Sequence, residues 1–207
     1  MKKFIIALFT VVIFFSCKNG NNLSTSNSSS NSISAKETGV ESSTTIPAES
    51  IFMLPDTFQT QHNTDFVLAS LAGKPTVVGM VFTNCAYACP RLTSDMKHIA
   101  ERLKDNRDKV NFLLVSFDSE RDTPAQLQKF AKQMDLDAGW VLLHGSDETV
   151  RTLSVLLNVQ FEKDAEGNFS HSNIITVLDK QGLLKFRKEG LEVDHSETIV
   201  KLNKLMN

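Results

Sequence analysis

The run from Thr76 to Phe82 is apolar and rich in β-branched residues, and a cysteine pair follows it at once in Thr83-Asn84-Cys85-Ala86-Tyr87-Ala88-Cys89-Pro90. A strand without polar alternation has to be buried on both faces, so it needs a covering layer above and below; this points to an α/β architecture. Beyond the cysteines, Leu92, Met96, Ile99 and Leu103 recur at helical spacing, which predicts a helix opening at the pair and running to about Lys104. If that helix begins near Cys85, residues i and i+4 stack and both thiols lie one turn apart on an inward face. There they can form a disulfide or hold one soft metal ion. The positive end of the helix dipole favours the thiolate, the form that attacks disulfides and binds metal. Redox or copper chemistry is therefore the first expectation.

The remaining elements follow from period and punctuation. Ile51 to Phe58 and Asp65 to Leu68 read as a hairpin around Gln61-His62-Asn63, and Val110 to Phe117 as a second buried strand. Thr123-Pro124-Ala125-Gln126 supplies an N-cap, a proline at the first helical position and a capping-box glutamine for a helix to about Met134. Trp140 to Leu143 is a third strand, and Ser146 or Asp147 caps a helix to about Leu157. Asn173 to Leu178 and Leu183 to Arg187 form a hairpin, and a last helix runs from about Ser196 to Met206. This order predicts an α/β sandwich with a central mixed β-sheet, and the cysteine pair after the first core strand selects a thioredoxin-like fold.

Upstream, Lys2 and Lys3, the apolar run Phe4 to Phe15, and Ser16-Cys17 look like a lipoprotein signal over residues 1–16, with Cys17 as the lipidated residue. The chain would then be anchored to a membrane of the bacterial cell envelope with its domain facing the periplasm. Residues 17–47 are mostly Asn, Ser and Thr with little to bury, and read as a flexible tether spanning roughly 30 Å as a coil. Residues 48–207 have the size of one domain. Once Cys17 is assigned to the lipid, Cys85 and Cys89 are the only thiols left in an oxidising compartment. A structural disulfide closing so short a loop would constrain the unfolded chain little. The formal charge of −2 and the lack of a basic stripe with interleaved aromatics argue against nucleic acid as a partner.

Five histidines are present. His98 is turned away from Cys89 on its helix, His62 lies in a turn, and His195 precedes the last helix; all three read as structural or solvated. His171 precedes the strand from Asn173. If that strand runs antiparallel to Thr76–Phe82, His171 stands opposite the thiols, with His144 at the end of the third strand as the reserve. Two thiolates and an imidazole suit copper in either oxidation state, and zinc shares those ligand types.

These residues resemble the SCO/SenC family of copper-binding assembly factors for cytochrome c oxidase. The likeness rests on Gly73-Lys74-Pro75, the CxxxC of Cys85 and Cys89 followed by Pro90, and Phe117-Asp118-Ser119-Glu120-Arg121-Asp122-Thr123-Pro124. Trp140 through Ser146 and His171-Ser172 before Asn173 to Asp179 complete it, over about Leu54 to Met206. The resemblance implies that Cys85, Cys89 and His171 ligate copper and that Asp118 stands behind the ligands, while Arg121, Asp122 and Pro124 are structural. It also implies a partner, the copper-bearing subunit II of the oxidase or another copper donor or acceptor. Three departures are visible: Ser170 where many relatives carry aspartate, Ser119 where many carry proline, and a lipid anchor instead of a membrane-spanning helix.

Two activities are therefore expected in competition. One is a metallochaperone that passes copper toward the copper A centre. The other is a thiol-disulfide oxidoreductase in which Cys85 attacks and Cys89 resolves the mixed disulfide. Only the first needs His171.

Overall fold

The computed structural model describes residues 46–207; the signal segment, Cys17 and nearly all of the tether lie outside the described residues. Nine strands and four α-helices are formed there. Strands β1 (Thr57–Thr60) and β2 (Asp65–Val67) make the first hairpin. Then come β3 (Thr76–Val81), helix α1 (Ala88–Leu103), β4 (Asn111–Ser116), α2 (Pro124–Gln133), β5 (Trp140–His144) and α3 (Asp147–Leu157). A ribbon of β6 (Phe161–Lys163) and β7 (Phe169–His171) precedes β8 (Ile174–Leu178), β9 (Leu184–Glu189) and α4 (Ser196–Met206).

Seven strands form one mixed sheet in the order β2-β1-β5-β4-β3-β8-β9, and β6 and β7 pair separately. The parallel centre is β5-β4-β3, with β8 antiparallel to β3 in the register Thr76 to Leu178 and Gly79 to Ile175. Every residue of β3 and β8 is buried, as an unbroken apolar run requires. This is the expected thioredoxin-like sandwich.

The cysteine-bearing helix lies directly on β3. At Gly79 a Cβ would stand 2.8 Å from Met96 Sδ and 3.5 Å from Leu92 Cδ2, so the missing side chain lets α1 approach the sheet closely. Helix ends follow their local chemistry. Thr123 Oγ1 accepts from Gln126 N at 3.3 Å with Pro124 in the first turn, and Ser146, rather than Asp147, caps α3 through Thr149 N at 3.1 Å. The Gln126 side chain does not reach back to its own cap. It crosses to Thr83 Oγ1 at 3.1 Å, next to the cysteine loop.

One local expectation needs correction here. The segment from Ile51 is not extended throughout: Ser50 caps a 3-10 turn over Ile51–Met53, and the strand forms only from Thr57. That entering segment is fixed to the β8–β9 turn, where Ser50 Oγ donates to Gln181 O, Ile51 N donates to Gly182 O at 3.1 Å, and Phe52 is buried. Because Leu178 pairs with Thr76, this turn lies at the start of β3, the end of the sheet remote from the cysteines.

Replacing Gly79 by valine should force α1 off the sheet and cost about 1–3 kcal/mol, measured as a lowered urea midpoint with an unchanged m-value.

Candidate metal centre

The chain leaves β3 at Val81 and makes a loop before α1 starts at Ala88. The helix does not begin near Cys85. Only Cys89 sits in its first turn, and Cys85 stands in the preceding loop, because the chain is held at Thr83 before it can wind. Thr83 N and Thr83 Oγ1 donate to the two carboxylate oxygens of Asp122, at 2.8 and 2.5 Å, and Ser116 Oγ donates to the same carboxylate at 2.6 Å. Asp122 is completely buried. It thus joins the end of β4 to the loop that carries Cys85, which gives its expected structural role particular partners.

Within that loop the thiols are inequivalent. Cys89 is fully buried, with Phe82 N donating to its Sγ at 3.3 Å, whereas Cys85 is partly exposed and accepts from Cys89 N at 3.4 Å. Burial pushes the Cys89 thiol far up, helped by the nearby charges of Cys85 and Asp122 and opposed by the Phe82 amide. For Cys85, burial raises the pKa too, but the backbone amides of Cys89, Tyr87 and Ala88 outweigh it and leave the thiol lowered. The two thiols therefore share a site while their surroundings push their pKa values in opposite directions.

His171 arrives from the other side. It ends β7, not a loop, since Phe161 pairs with His171 and Lys163 with Phe169 across a ribbon that the spacing of apolar residues did not suggest. That ribbon rests on aromatic rings: Phe161 stacks on Phe117 at 5.0 Å, Phe169 lies 5.2 Å from Phe82, and the imidazole lies 5.0 Å from Phe117 and 6.0 Å from Phe82. The Nδ1 of His171 lies 3.2 Å from its neighbour's carbonyl, Ser172 O, which can only accept. The proton is therefore on Nδ1 and the lone pair on Nε2, 3.7 Å from Cys89 Sγ. Burial holds the imidazole below its usual pKa, against the Ser172 carbonyl, so it stays neutral near pH 7.

Donor atoms of Cys85, Cys89 and His171 all lie within 4.8 Å of one another, and among the described residues no other group of three such side chains converges. For bonds of about 2.0–2.3 Å, donors around a three-coordinate ion stand about 3.5–4 Å apart, so the set fits one ion after small movements. Two sulfurs and one imidazole select a soft or borderline metal, and three protein ligands leave one side open to exchange.

The other expected residues are placed as follows. His144 ends β5 opposite Gln59 and is outside this group. His62 and His98 are exposed, while His195 is buried between α1 and α4, 3.8 Å from Asp95. The Asp118 carboxylate, also buried, is paired with Arg121 Nε, and Arg121 Nη2 donates to Gly167 O in the β6–β7 turn. Tyr87, between the cysteines, is exposed with the Arg91 guanidinium 3.7 Å over its ring.

A model of the SCO1/SenC family matches residues 47–207. Among curated proteins, the SCO1 protein homolog of Bacillus subtilis (strain 168) is 35% identical over 96 residues, 46% of this chain and 50% of that protein, so the chain spans half the length of that relative. A SCO1/SenC family lipoprotein from Bacillus anthracis str. Ames is 26% identical with a TM-score of 0.68, covering 73% of this chain and 93% of that one. Bradyrhizobium japonicum ScoI, solved with copper bound, shares the fold with a TM-score of 0.63 at 24% identity, over 72% of this chain and 96% of its own.

Because Cys89 holds its proton well above neutrality, binding a metal ion must displace it. Affinity for a thiophilic ion should rise by at least about tenfold per pH unit between pH 6 and 8 and fall further when His171 protonates in acid; competition titrations across pH read this directly. Asp122→Ala should strip three donors of their acceptor, one on buried Ser116 and two on half-buried Thr83, and cost about 3 kcal/mol, visible in chemical denaturation.

Proposed function

This chain belongs to the SCO1/SenC family, and from that premise we propose that it binds copper through Cys85, Cys89 and His171 and hands it to an acceptor protein. The observation that carries the reading is the convergence of one partly exposed thiol, one buried thiol and one neutral imidazole from three different segments. A site built for storage would close the fourth side. Here Cys85 is the most accessible ligand, so an incoming thiolate or imidazole can bind the ion at Cys85 first and displace the buried ligands afterwards. The family resemblance supplies the acceptor, the subunit II of cytochrome c oxidase that carries the copper A centre, or another copper donor or acceptor in the same compartment. Asp118 acts behind the ligands. Cys17 carries a lipid, residues 17–47 form the tether, and the domain from residue 48 works in the bacterial envelope facing the periplasm. Among the described residues no helix is long and apolar enough to cross a membrane.

One observation favours a second activity. The inequivalence of the thiols is the arrangement a dithiol reductant uses: the Cys85 thiolate attacks a target disulfide and releases one target thiolate. Cys89, giving up its proton, then attacks the mixed disulfide, leaving a Cys85–Cys89 disulfide and two reduced target thiols.

Anaerobic titration of the reduced protein against a copper chelator separates the two. One ion per chain, with affinity falling at least a hundredfold in His171→Ala, is the expected result. Binding indifferent to His171, together with rapid reduction of a disulfide substrate, would replace copper transfer with dithiol exchange.

A further inference from the structure

His171 is attached to the sheet on one side only. After it, Ser172 and Asn173 lead into β8; before it, the β6–β7 ribbon makes no strand pairing with the main sheet. Its three-residue strands and single partner give it little stability of its own. What holds the ribbon against the cysteine side of the domain therefore decides where the imidazole stands.

Two kinds of contact do so. The aromatic floor of Phe82, Phe117, Phe161 and Phe169 holds the ribbon against the domain by ring packing, without a hydrogen bond to its turn. Directional contact comes from the loop after β4. Arg121 Nε pairs with the buried carboxylate of Asp118, its Nη2 donates to Gly167 O at the tip of the ribbon, and its guanidinium carbon lies 5.7 Å from the Phe169 ring centre. A second tie, Lys163 to Glu120, joins the same loop to β6, but Glu120 is largely exposed and such a pair contributes little. Arg121 differs because its acidic partner has only 1% of its side chain accessible, so the guanidinium is locked at one end. A planar fork can then aim its other nitrogens at one carbonyl, which a lysine cannot do from the same position.

We propose that Arg121 is a positioning residue for His171: anchored by Asp118, it props the tip of the β6–β7 ribbon and so holds the imidazole at the two thiols. The proposal rests on the copper reading for its consequence, but the strut itself is a property of the metal-free protein. It also gives the buried Asp118 a definite part, as the anchor of the strut, three residues from Arg121 in sequence and tied through it to a turn that follows much later.

The test is a pair of measurements on Arg121→Ala and Arg121→Lys, the second keeping a cation beside Asp118 so that the fold is retained. In the metal-free protein, amide hydrogen exchange over 164–171 should quicken at least tenfold in both variants while β3 and β4 stay protected. In copper titrations each variant should lose about tenfold in affinity in the parent background and nothing further in a His171→Ala background, since a strut without its ligand has nothing to hold. Unchanged exchange in the ribbon would overturn the proposal, as would an equal affinity loss in both backgrounds, which would make Arg121 a general stabiliser. If His171→Ala alone binds copper as tightly as the parent, the copper reading fails by itself, and the exchange data still decide whether Arg121 braces the ribbon.

Discussion

The buried carboxylate of Asp122 is the contact on which the geometry of the metal centre depends. It closes no ion pair. It accepts from a backbone amide, a threonine hydroxyl and a serine hydroxyl, and in doing so draws the loop after β3 against the end of β4. Thr83, once held there and steadied by Gln126, leaves one residue, Asn84, before Cys85, and the helix starts three residues after that cysteine. The thiols then have different surroundings because one lies before the helix and the other within it. Desolvation and the neighbouring negative charges act on Cys89, while free amides act on Cys85. A single buried carboxylate below the loop thereby sets both the position and the chemical inequality of the pair.

The imidazole depends on a different kind of support. Four phenylalanines from β3's end, β4's end and the ribbon build a dry shelf beneath it. Such a shelf disfavours a charged ring and so keeps Nε2 free as a donor, but it also makes that ligand's location a matter of packing instead of strand register. One side of the centre is thus built on hydrogen bonds to a buried charge, and the other on aromatic faces and an arginine.

Much of this was legible in the sequence. The unbroken run of Thr76 to Phe82 required a strand covered on both sides, and Thr123-Pro124 required a helix start; both stand where the local chemistry places them. Antiparallel pairing of β8 with β3 brought His171 to the cysteine end, as the topological argument anticipated. The ribbon was not legible, because three-residue strands carry no periodic signal and their partners are aromatic rings far away in sequence. Nor was the late start of α1, since Ala86, Tyr87 and Ala88 have ordinary helical preferences and what prevents winding is a contact 39 residues distant. Asp122 and Arg121 were expected to be structural, but nothing in the sequence named the groups they hold. Their parts follow from burial and reach, and neither is written in composition.

The chain enters this domain at the β8–β9 turn and carries its ligands at the other end of β3, about 20 Å along the strand. A pull applied at residue 46 would therefore act on the base of the domain. Tension there passes through Ser50, Ile51 and Phe52 into the start of the central strands, without crossing the cysteine loop or the ribbon. The ligand end is the opposite pole, and the bonds that define it would carry none of that load.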